Sequence, residues 1–479
     1  MSKNITTAAA FFLLAAVFSL RFLYSSPYAA TWDQVDFALA LERYDLLAMQ
    51  PHFPGYPFFI FGGMLANSWI ENPAQALSVF NGIMTLAASL PVYLLARQYA
   101  GRLPSLLVVA ALQTNTYLSI LSAQPMSEGA AIGALWWYLW AVHRAYHKTN
   151  LTAQLLPLLF FSLLMGIRLS YAPFGLAIVL LWIHQYRKGK GFRELAGLAA
   201  AAILFQGVWL AALILSEGSI SGFLKLSMGF VAGHFTSWGG AVTESGEPLL
   251  SRLYRLTVHN VVFTGMFAGS LLLLGAGALA GGLLLIRFRK SAFREYWSIN
   301  KLLLILAGAY FIWNLFAQNI DKPRHSFPVA MLLLFSLFTM AAAKSAKAQY
   351  ALILFAGLQL AVCVPILKEQ AEKKPAVYQM AEYLEQQKQP LIVYTWEETR
   401  VLQYLSVPYD HKRFYTYPYF KKDISYQKDK EIYLTGELVD GFKEQGVDLY
   451  PRLEKVKEFH SNLLFDPVYG EIELYKLKE

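Results

Sequence analysis

Charged residues are scarce in this sequence. Asp, Glu, Lys and Arg together make up 15% of the 479 residues, whereas a soluble domain has about 25%. Hydrophobic residues reach 56%, and apolar runs of about 18 residues or more recur, each long enough to span a bilayer core. The composition excludes one large soluble domain and predicts a polytopic α-helical membrane protein.

Cysteine is almost absent. Cys363 is the only one and lies in an apolar run, which excludes disulfides within the chain and thiolate metal sites. The net charge of +9 would suggest nucleic acid in a soluble chain, but here the Lys and Arg residues lie in the loops between apolar runs. We therefore predict membrane lipids as partners and no nucleic acid.

The apolar runs predict about eleven membrane spans. The long run 258–286 is read as one tilted span, and the short runs 58–65 and 223–231 are typical of re-entrant or interfacial segments. The first run is kept as a span, because no convincing signal-peptide cleavage site follows it. The predicted spans are 8–24, 75–96, 103–121, 129–146, 151–167, 172–186, 195–216, 258–286, 300–317, 326–343 and 349–367.

Positive charge is divided unevenly between the two alternate sets of loops. One set, counted from Lys3, carries 16 Lys and Arg residues, and the other carries seven. Because the cytoplasmic loops of membrane proteins carry the excess of Lys and Arg, the N-terminus is predicted to be cytoplasmic. An odd number of spans then places the C-terminus outside.

The composition changes after Leu367. Residues 368–479 are polar and contain no apolar run of spanning length. Helical patterns and three strand-like runs predict a small extracytoplasmic α/β domain there, beside a membrane domain at 1–367. This part has no phosphate-binding glycine loop, no metal-spaced His/Cys cluster and no nucleophile motif, so a structural or partner-binding role is favoured over catalysis. The strand-like runs are 391–395, 431–436 and 472–477.

Two acids stand out in the first predicted outer loop, 25–74. Asp33 and Asp36 are three positions apart and share one face of a helix. In one interpretation Asp33 caps the helix and Asp36 is the acidic third residue. In the other, partial desolvation beside a span raises the pKa of a carboxylate toward the range of a general base. The amphipathic residues 35–49 predict a helix along the membrane surface.

The segment QPHFPGYP at 50–57 cannot be regular helix, because the residue before each proline is pushed out of the α region. It predicts a rigid, aromatic-lined turn at membrane depth, where such backbone packs on protein or lines a cavity. His52 in this turn is either an interfacial histidine or a ligand-binding residue. His52 and Tyr56 are candidate substrate-binding residues.

Further charges lie in the other predicted outer loops. Glu128 is either an acid favoured by a helix dipole or part of a site, and Arg168 either snorkels to the interface or faces a cavity. Lys322, Arg324 and His325 depart from the inside-positive trend. They are either an interfacial anchor or a binding site for a phosphate group, which Arg holds with a fork and Lys with a point charge.

These features combine into one prediction about the substrate. An acid pair, a cationic patch on the same side and many spans indicate a lipid phosphate. The cations would hold the phosphate while a carboxylate takes a proton from an acceptor. No metal site is assigned, because no strong ligand cluster is present.

Five stretches in this order resemble the motifs of one enzyme family: TWDQVDFALAL, PHFPGYPFF, SAQPMSE, GIRLSYAPF and KPRHSFPVAMLL. The first looks like an acidic first-loop motif, and the last looks like a late arginine-and-proline loop that opens a span. By these motifs and its organisation over residues 8–345, the sequence resembles the GT-C glycosyltransferases. The similarity is strongest to the bacterial branch related to protein mannosyltransferases and aminoarabinose transferases. Residues 1–367 would be the glycosyltransferase domain, with 25–74 as its outer catalytic loop.

The resemblance implies inverting transfer of a hexose or pentose from a polyprenyl-phosphate donor at the outer membrane face. The acceptor would be a lipid, a glycan or a protein. Asp33 is implied as the general base. Asp36 is the weaker second candidate, because many relatives have adjacent Asp and Glu residues, whereas Gln34 follows Asp33 here.

The same resemblance implies roles for the other charged residues. Arg324, with His325 and Arg168, would bind the donor phosphate and stabilise its charge as it leaves. Glu128 would support the site or bind the acceptor. Some relatives use a divalent metal and others do not, so no cofactor is assigned.

Two other classes of protein fit part of the pattern. A transporter or flippase of a lipid-linked saccharide also needs many spans and a cationic pocket. Transporters often contain two related halves with broken helices near the midplane, and no such pairing is visible in the sequence. A structural partner in an envelope-assembly complex is the third interpretation.

Overall fold

The computed structural model describes residues 3–285 and 290–478 of the chain. Arg287 and Arg289, two of the cations assigned to the basic loops, and Ile286, the last residue of the long apolar run, lie outside the described residues. Most of the described chain is helical, and a five-stranded sheet forms near the C-terminus.

Helices α1–α18 build the membrane part of the described chain. A 3₁₀-helix at Leu169–Gly175 precedes α10 and another at Pro323–Ser326 precedes α17, while π-helical turns lie at His234–Trp238 and Arg255–Met266. The helices are α1 (Lys3–Leu23), α2 (Trp32–Ala40), α3 (Pro57–Asn67), α4 (Pro73–Ala87), α5 (Ser89–Ala96), α6 (Arg102–Gln113), α7 (Thr116–Ser122), α8 (Glu128–His147), α9 (Leu151–Ile167), α10 (Leu176–Arg187), α11 (Phe192–Glu217), α12 (Ile220–Gly233), α13 (Val242–Ser245), α14 (Leu249–Tyr254), α15 (Leu271–Leu285), α16 (Lys290–Ala317), α17 (Phe327–Lys344) and α18 (Ala346–Glu372).

The polytopic helical fold predicted from the sequence is confirmed. Among the described residues, seven segments are long and apolar enough to cross a membrane, or up to nine if each of two bent helix pairs is one span. The count of eleven stays a prediction, because α8 is not among these segments and α9 is a shorter apolar helix of 17 residues. The seven segments are Asn4–Leu23, Pro73–Ala96, Leu169–Arg187, Phe192–Glu217, Asn300–Ala317, Pro323–Lys344 and Ala346–Glu385.

The long run at 258–286 differs from its prediction as one tilted span. The segments Leu249–Met266 and Leu271–Gly281 meet at an angle of 98°. Ala268 and Gly269 have φ angles of 49° and 68°, which a right-handed helix cannot accommodate, so the helix ends there. The pair α6 and α7 is bent by 61°.

The C-terminal part is an α/β unit around a mixed sheet of order β2-β1-β3-β5-β4. Strands β2, β1 and β3 are parallel, whereas β5 is antiparallel to both of its neighbours. The three strands expected from the sequence are β1, β3 and β5; β2 and β4 were not expected. The elements are α19 (Ala376–Glu385), β1 (Leu391–Thr395), α20 (Thr399–Tyr404), β2 (Asp410–Arg413), α21 (Tyr417–Ile424), β3 (Glu431–Thr435), α22 (Gly436–Glu444), β4 (Leu453–His460) and β5 (Glu471–Leu477).

Helix α2 is packed between the two parts of the protein. Its Phe37 belongs to the core of the membrane part, whereas Val35 and Ala38 belong to the same apolar cluster as Val377 and Met380 of α19. The expected surface helix at 35–49 is therefore wrong: α2 ends at Ala40 and is buried on both sides. Contact with the C-terminal domain, which the hydrophobic pattern does not encode, accounts for the difference.

The loop between β4 and β5 reaches back toward the membrane part. Leu464 and Phe465 pack against the membrane core. Asp466, the next residue, is buried and lies against Arg324 of the turn before α17. The C-terminal domain thus contributes side chains at the end of the membrane bundle where the first loop lies.

Candidate active site

Asp33 occupies the second position of α2. The helix is capped by Thr31, whose hydroxyl accepts a hydrogen bond from the backbone N–H of Gln34 at 3.3 Å. The interpretation of Asp33 as the cap is therefore wrong, because Thr31 satisfies the helix start. The side chain of Asp33 remains 35% exposed and faces charged groups from three other segments.

His52 lies beside both acids. Its Nδ1 is 3.1 Å from Oδ2 of Asp36, and its Nε2 is 3.1 Å from the Tyr56 hydroxyl and 3.9 Å from Oδ1 of Asp33. Because an ionised carboxylate only accepts hydrogen bonds, Nδ1 donates to Asp36, which leaves Nε2 facing Tyr56 and Asp33. The turn predicted at 50–57 thus brings His52 and Tyr56 to the acid pair.

Asp36 is fully buried and is shared between His52 and Arg400 of α20. Arg400 Nε donates to Oδ1 of Asp36 at 2.8 Å. The same guanidinium donates to the carbonyl groups of Ala48 and Met49 at 3.2 and 3.1 Å. Asp36 therefore orients His52 and fastens the first loop to the C-terminal domain, and of the two acids only Asp33 has exposed surface.

Glu128 and Arg168 form a buried pair at adjacent ends of two neighbouring helices. Glu128 begins α8 and Arg168 follows α9, where its extended backbone (φ −157°) ends the helix. Arg168 Nη2 lies 3.0 Å from Oε1 of Glu128, and Nη1 donates to the Ser127 hydroxyl at 2.8 Å. This arginine faces a buried acid and does not snorkel to the interface.

Arg324 connects the acids of this region. Its Nε lies 3.1 Å from Oε1 of Glu128, Nη2 lies 3.6 Å from Oδ2 of Asp33, and Nη1 donates to Oδ2 of Asp466 at 2.5 Å. The close approach to Glu128 is not aligned as a hydrogen bond for either atom. Arg324 is buried, so one guanidinium carries the positive charge for three carboxylates from three segments.

The two neighbours of Arg324 in the predicted phosphate site differ in their surroundings. Lys322 is partly exposed, and its charge acts on Asp33 and on Glu397 of the C-terminal domain. Nδ1 of His325 lies 3.1 Å from the carbonyl oxygen of Asn319. Lys322 is thus close to the cluster, whereas the described contact of His325 is with its own loop.

The cations around Asp33 lower its pKa, although burial acts in the opposite direction. Burial favours the neutral acid, but His52, Lys322, Arg324 and Arg168 each favour the carboxylate and together lower the pKa of Asp33 to about 2. The raised pKa expected from desolvation is therefore wrong for Asp33. At neutral pH this carboxylate is ionised.

The raised carboxylate pKa is found at Asp36. Burial raises the pKa of Asp36, and this effect exceeds the opposing effects of His52 and Arg400. Burial alone would lower the pKa of His52, but the carboxylates of Asp33 and Asp36 outweigh it and raise the pKa. A histidine placed between two acids thereby retains its proton to a higher pH than usual.

Sequence reasoning missed two residues of this cluster, Arg400 and Asp466. Both come from the C-terminal domain, where no motif marks them. Asp466 is the one charged residue of an otherwise largely apolar stretch, LLFDPVYG, whereas Arg400 lies in EETRVLQYL beside other charged and polar residues and has no such signal. Among the described residues, no group of three or more His, Cys, Asp or Glu side chains is arranged to hold a metal ion.

Comparison with known proteins finds similarity in structure but not in sequence families. No protein-family model and no curated protein matches the sequence. Crystal structures of ArnT from Cupriavidus metallidurans match the fold over nearly the whole length. The structure bound to undecaprenyl phosphate has a TM-score of 0.60 at 11% identity and covers 98% of both chains, and the apo structure has 0.56 at 11% identity and 97% of both.

The oligosaccharyltransferase of Archaeoglobus fulgidus, tethered to an acceptor peptide, also matches. It covers 91% of this chain and 69% of its own at 13% identity, with a TM-score of 0.47. The similarity to the two ArnT structures extends through both the membrane part and the C-terminal domain. The chain therefore has the fold of ArnT, which confirms the GT-C-like fold predicted from the sequence.

Proposed function

We propose that this protein transfers a sugar from a polyprenyl-phosphate donor to an acceptor at the outer face of the membrane, with inversion at the anomeric carbon. Asp33 is the general base, and Arg324, with Arg168 and Lys322, binds the donor phosphate. The acceptor is a lipid, a glycan or a protein.

One observation carries this proposal. The carboxylate of Asp33 lies 3.6 Å from the guanidinium of Arg324, so a base and an anion-binding group meet at one partly exposed point. Transfer from a sugar phosphate uses both kinds of group in one site, because the base acts on the acceptor while the cation acts on the leaving phosphate.

The reaction uses these groups as follows. The acceptor hydroxyl oxygen attacks the anomeric carbon on the face opposite the phosphate, and a C–O bond forms there. The bond from the anomeric carbon to the phosphate oxygen breaks, and its electron pair leaves with the phosphate, whose charge Arg324 stabilises. The hydroxyl proton passes to the carboxylate of Asp33.

The low pKa of Asp33 is compatible with this role. In the free protein, positive charge holds the pKa of Asp33 near 2, where a carboxylate is a weak base. An arriving phosphate brings negative charge among the same cations and offsets their effect on Asp33. Donor binding therefore raises the pKa of Asp33 and makes this carboxylate a stronger base, so the acceptor is activated only when the donor is present.

The solved relative supports the donor class. The ArnT structure that covers 98% of this chain was obtained with undecaprenyl phosphate bound. A lipid phosphate carrier also fits a site that lies at the end of a membrane bundle and is lined by arginines.

The test is Asp33→Asn in the purified full-length protein. The exchange keeps the shape of the side chain but removes the base, so transfer from polyprenyl-phosphate sugars should fall by about 100-fold or more while undecaprenyl phosphate still binds. Glu42→Gln, an exposed acid of the same loop, is the matched control and should retain activity.

Transfer near the wild-type rate in Asp33→Asn would show that Asp33 is not the general base. A protein that moves a lipid-linked saccharide across vesicles without cleaving it would instead be a transporter. Reconstitution with a radiolabelled donor separates these results, since cleavage yields free undecaprenyl phosphate.

A further inference from the structure

A cleft of about 400 Å³ lies between the membrane part and the C-terminal domain. Its walls come from the first loop at 26–34, the end of α18 with the residues after it at 369–375, and the β4–β5 loop at 460–469. This volume is within the range of small-molecule binding sites, about 300–1,000 Å³. It is separate from the buried pair of Asp36 and Arg400.

The side chains that line the cleft are mostly polar, but their positive charges are neutralised. Lys373 Nζ lies 3.0 Å from Oε1 of Glu369, and Lys374 is paired with Glu382. The second acid in the wall, Asp466, is paired with Arg324. With each of these charges compensated, the cleft suits a neutral polar molecule better than an anion.

Two buried glutamines contribute hydrogen-bonding groups to this cleft. Gln124 and Gln370 are 2% and 5% exposed. The Nε2 donor of Gln124 and the Oε1 acceptor of Gln370 have no hydrogen-bond partner among the described residues. Both atoms are closed off from solvent, so a ligand reaches them only when the amides turn toward the cleft; a hydroxyl group, which accepts and donates, then pairs with both.

The cleft adjoins the proposed active site through residues of its wall. Thr31 and Gln34, which line it, stand on either side of Asp33 in the chain, and Asp466 in its wall contacts Arg324 at 2.5 Å. Arg324 in turn lies 3.6 Å from Asp33. A molecule held here lies against the first turn of α2, which carries Asp33.

We propose that this cleft binds the acceptor and that the acceptor is a neutral, hydroxyl-rich saccharide. The inference rests on the proposed function, which supplies the reaction at Asp33 but leaves the acceptor open. Protein hydroxyls and amides pair with the sugar hydroxyls, and one further hydroxyl of the sugar points toward Asp33 for transfer.

A single introduced cysteine tests this inference. Cys363 is buried and is the only native cysteine, so a new surface thiol is labelled selectively. Tyr469→Cys places the thiol in the cleft, and Tyr419→Cys, at a tyrosine 70% exposed on α21, is the matched control. Neutral probes (methyl glucoside, N-acetylglucosamine, maltotriose) are compared with glucose 6-phosphate for their ability to slow maleimide labelling.

Neutral saccharides should slow labelling at position 469 by about tenfold near saturation and leave position 419 unchanged. Maleimide attached at 469 should then block transfer while undecaprenyl phosphate still binds. Absence of protection by every neutral probe, or stronger protection by glucose 6-phosphate, would overturn the inference. Loss of undecaprenyl phosphate binding on labelling would also overturn it, since the cleft would belong to the donor.

These readouts separate the inference from the proposed function. Protection from labelling does not need catalysis, so it reports on the cleft even in a protein that transfers nothing. A protein that is protected by neutral saccharides but cleaves no polyprenyl-phosphate sugar would contradict the proposed function and retain the saccharide site.

Discussion

Arg400 and Asp36 are 364 positions apart in the chain, and Nε of Arg400 donates to Oδ1 of Asp36 at 2.8 Å. Asp36 also pairs with Nδ1 of His52, and the other ring nitrogen of His52 faces Asp33. The C-terminal domain therefore sets the position of the proposed general base through one buried carboxylate.

Removal of Arg400 should destabilise the protein. Arg400→Ala leaves Asp36 buried without its cation, and breaking a buried pair in this way costs about 3–5 kcal/mol. Burial already raises the pKa of Asp36, and loss of the cation raises it further. An acid whose pKa is higher in the folded than in the unfolded state destabilises the protein as pH rises. The loss of unfolding free energy in Arg400→Ala should therefore be larger at neutral pH than near pH 4.

Thermal unfolding of the full chain in detergent measures this effect. Arg452→Ala, an exposed arginine of the same domain, is the control. The pair Arg400→Gln with Asp36→Asn removes both charges and should be more stable than Arg400→Ala. A deficit that is the same at all pH values would show that the lost contacts with the backbone, not the uncompensated carboxylate, cause the change.

His52 should control the pH dependence of transfer through Asp33. His52 is one of the four cations that hold the pKa of Asp33 near 2. In His52→Gln this positive charge is lost, the pKa of Asp33 rises, and the acid limb of kcat/KM moves to higher pH. His147→Gln, an exposed histidine at the end of α8, should leave the profile unchanged. An acid limb that does not move in His52→Gln would exclude this coupling.

Asp466 should compete with the donor for Arg324. The guanidinium already faces three carboxylates, and a phosphate that binds it must replace part of their interaction. Asp466→Asn keeps the shape but removes one negative charge, so the Kd for undecaprenyl phosphate should fall by up to about tenfold. Asp429→Asn, an exposed acid of the same domain, is the control in the same fluorescence titration. Weaker binding in Asp466→Asn would show that this acid holds Arg324 ready for the donor.

The contact of Arg400 with Asp36 also constrains the topology. The two residues lie on one side of the membrane, so the chain crosses an even number of times between them. Six of the seven apolar segments lie in that interval. Four further elements there are undecided as membrane crossings: each of the two bent helix pairs, helix α8 and helix α9. With all six segments crossing, an even number of these four must cross, and the predicted total of eleven spans requires all four.

Reporter fusions at Lys148 and Leu367 check this count. Lys148 follows α8, so it should report the cytoplasm, whereas a fusion after Leu367 should report the outside. Cysteines introduced at Glu42 and Tyr419 should both react with an impermeant maleimide from the outer side. Reaction of these two from opposite sides would contradict the contact itself.

The sequence predicted much of this site because its residues share one side of the membrane. Asp33, Glu128, Arg168 and Arg324 follow different spans, and their loops meet at the same end of the bundle. Their pairing was not predictable, since the distances depend on helix packing and on the bends between helices. The polytopic class followed from long apolar runs, which have few alternatives in lipid.

The contributions of the C-terminal domain could not be predicted. Arg400 and Asp466 lie in short local patterns that are ordinary for an α/β domain. Their contacts with Asp36 and Arg324 form only where that domain packs against the membrane part. The same docking explains why α2 is buried and short, although its hydrophobic pattern is typical of a surface helix. The direction of the Asp33 pKa shift also depends on cations that come from distant loops.

The joining of Asp36 to Arg400 has a consequence for how the protein is made. At about 5–20 residues per second, the 364 residues between them take roughly 20–70 s to synthesise. Throughout that interval Asp36 lacks its buried cation. A truncated chain therefore carries Asp33 but not the support that positions it, and the arrangement around Asp33 is complete only in the finished polypeptide.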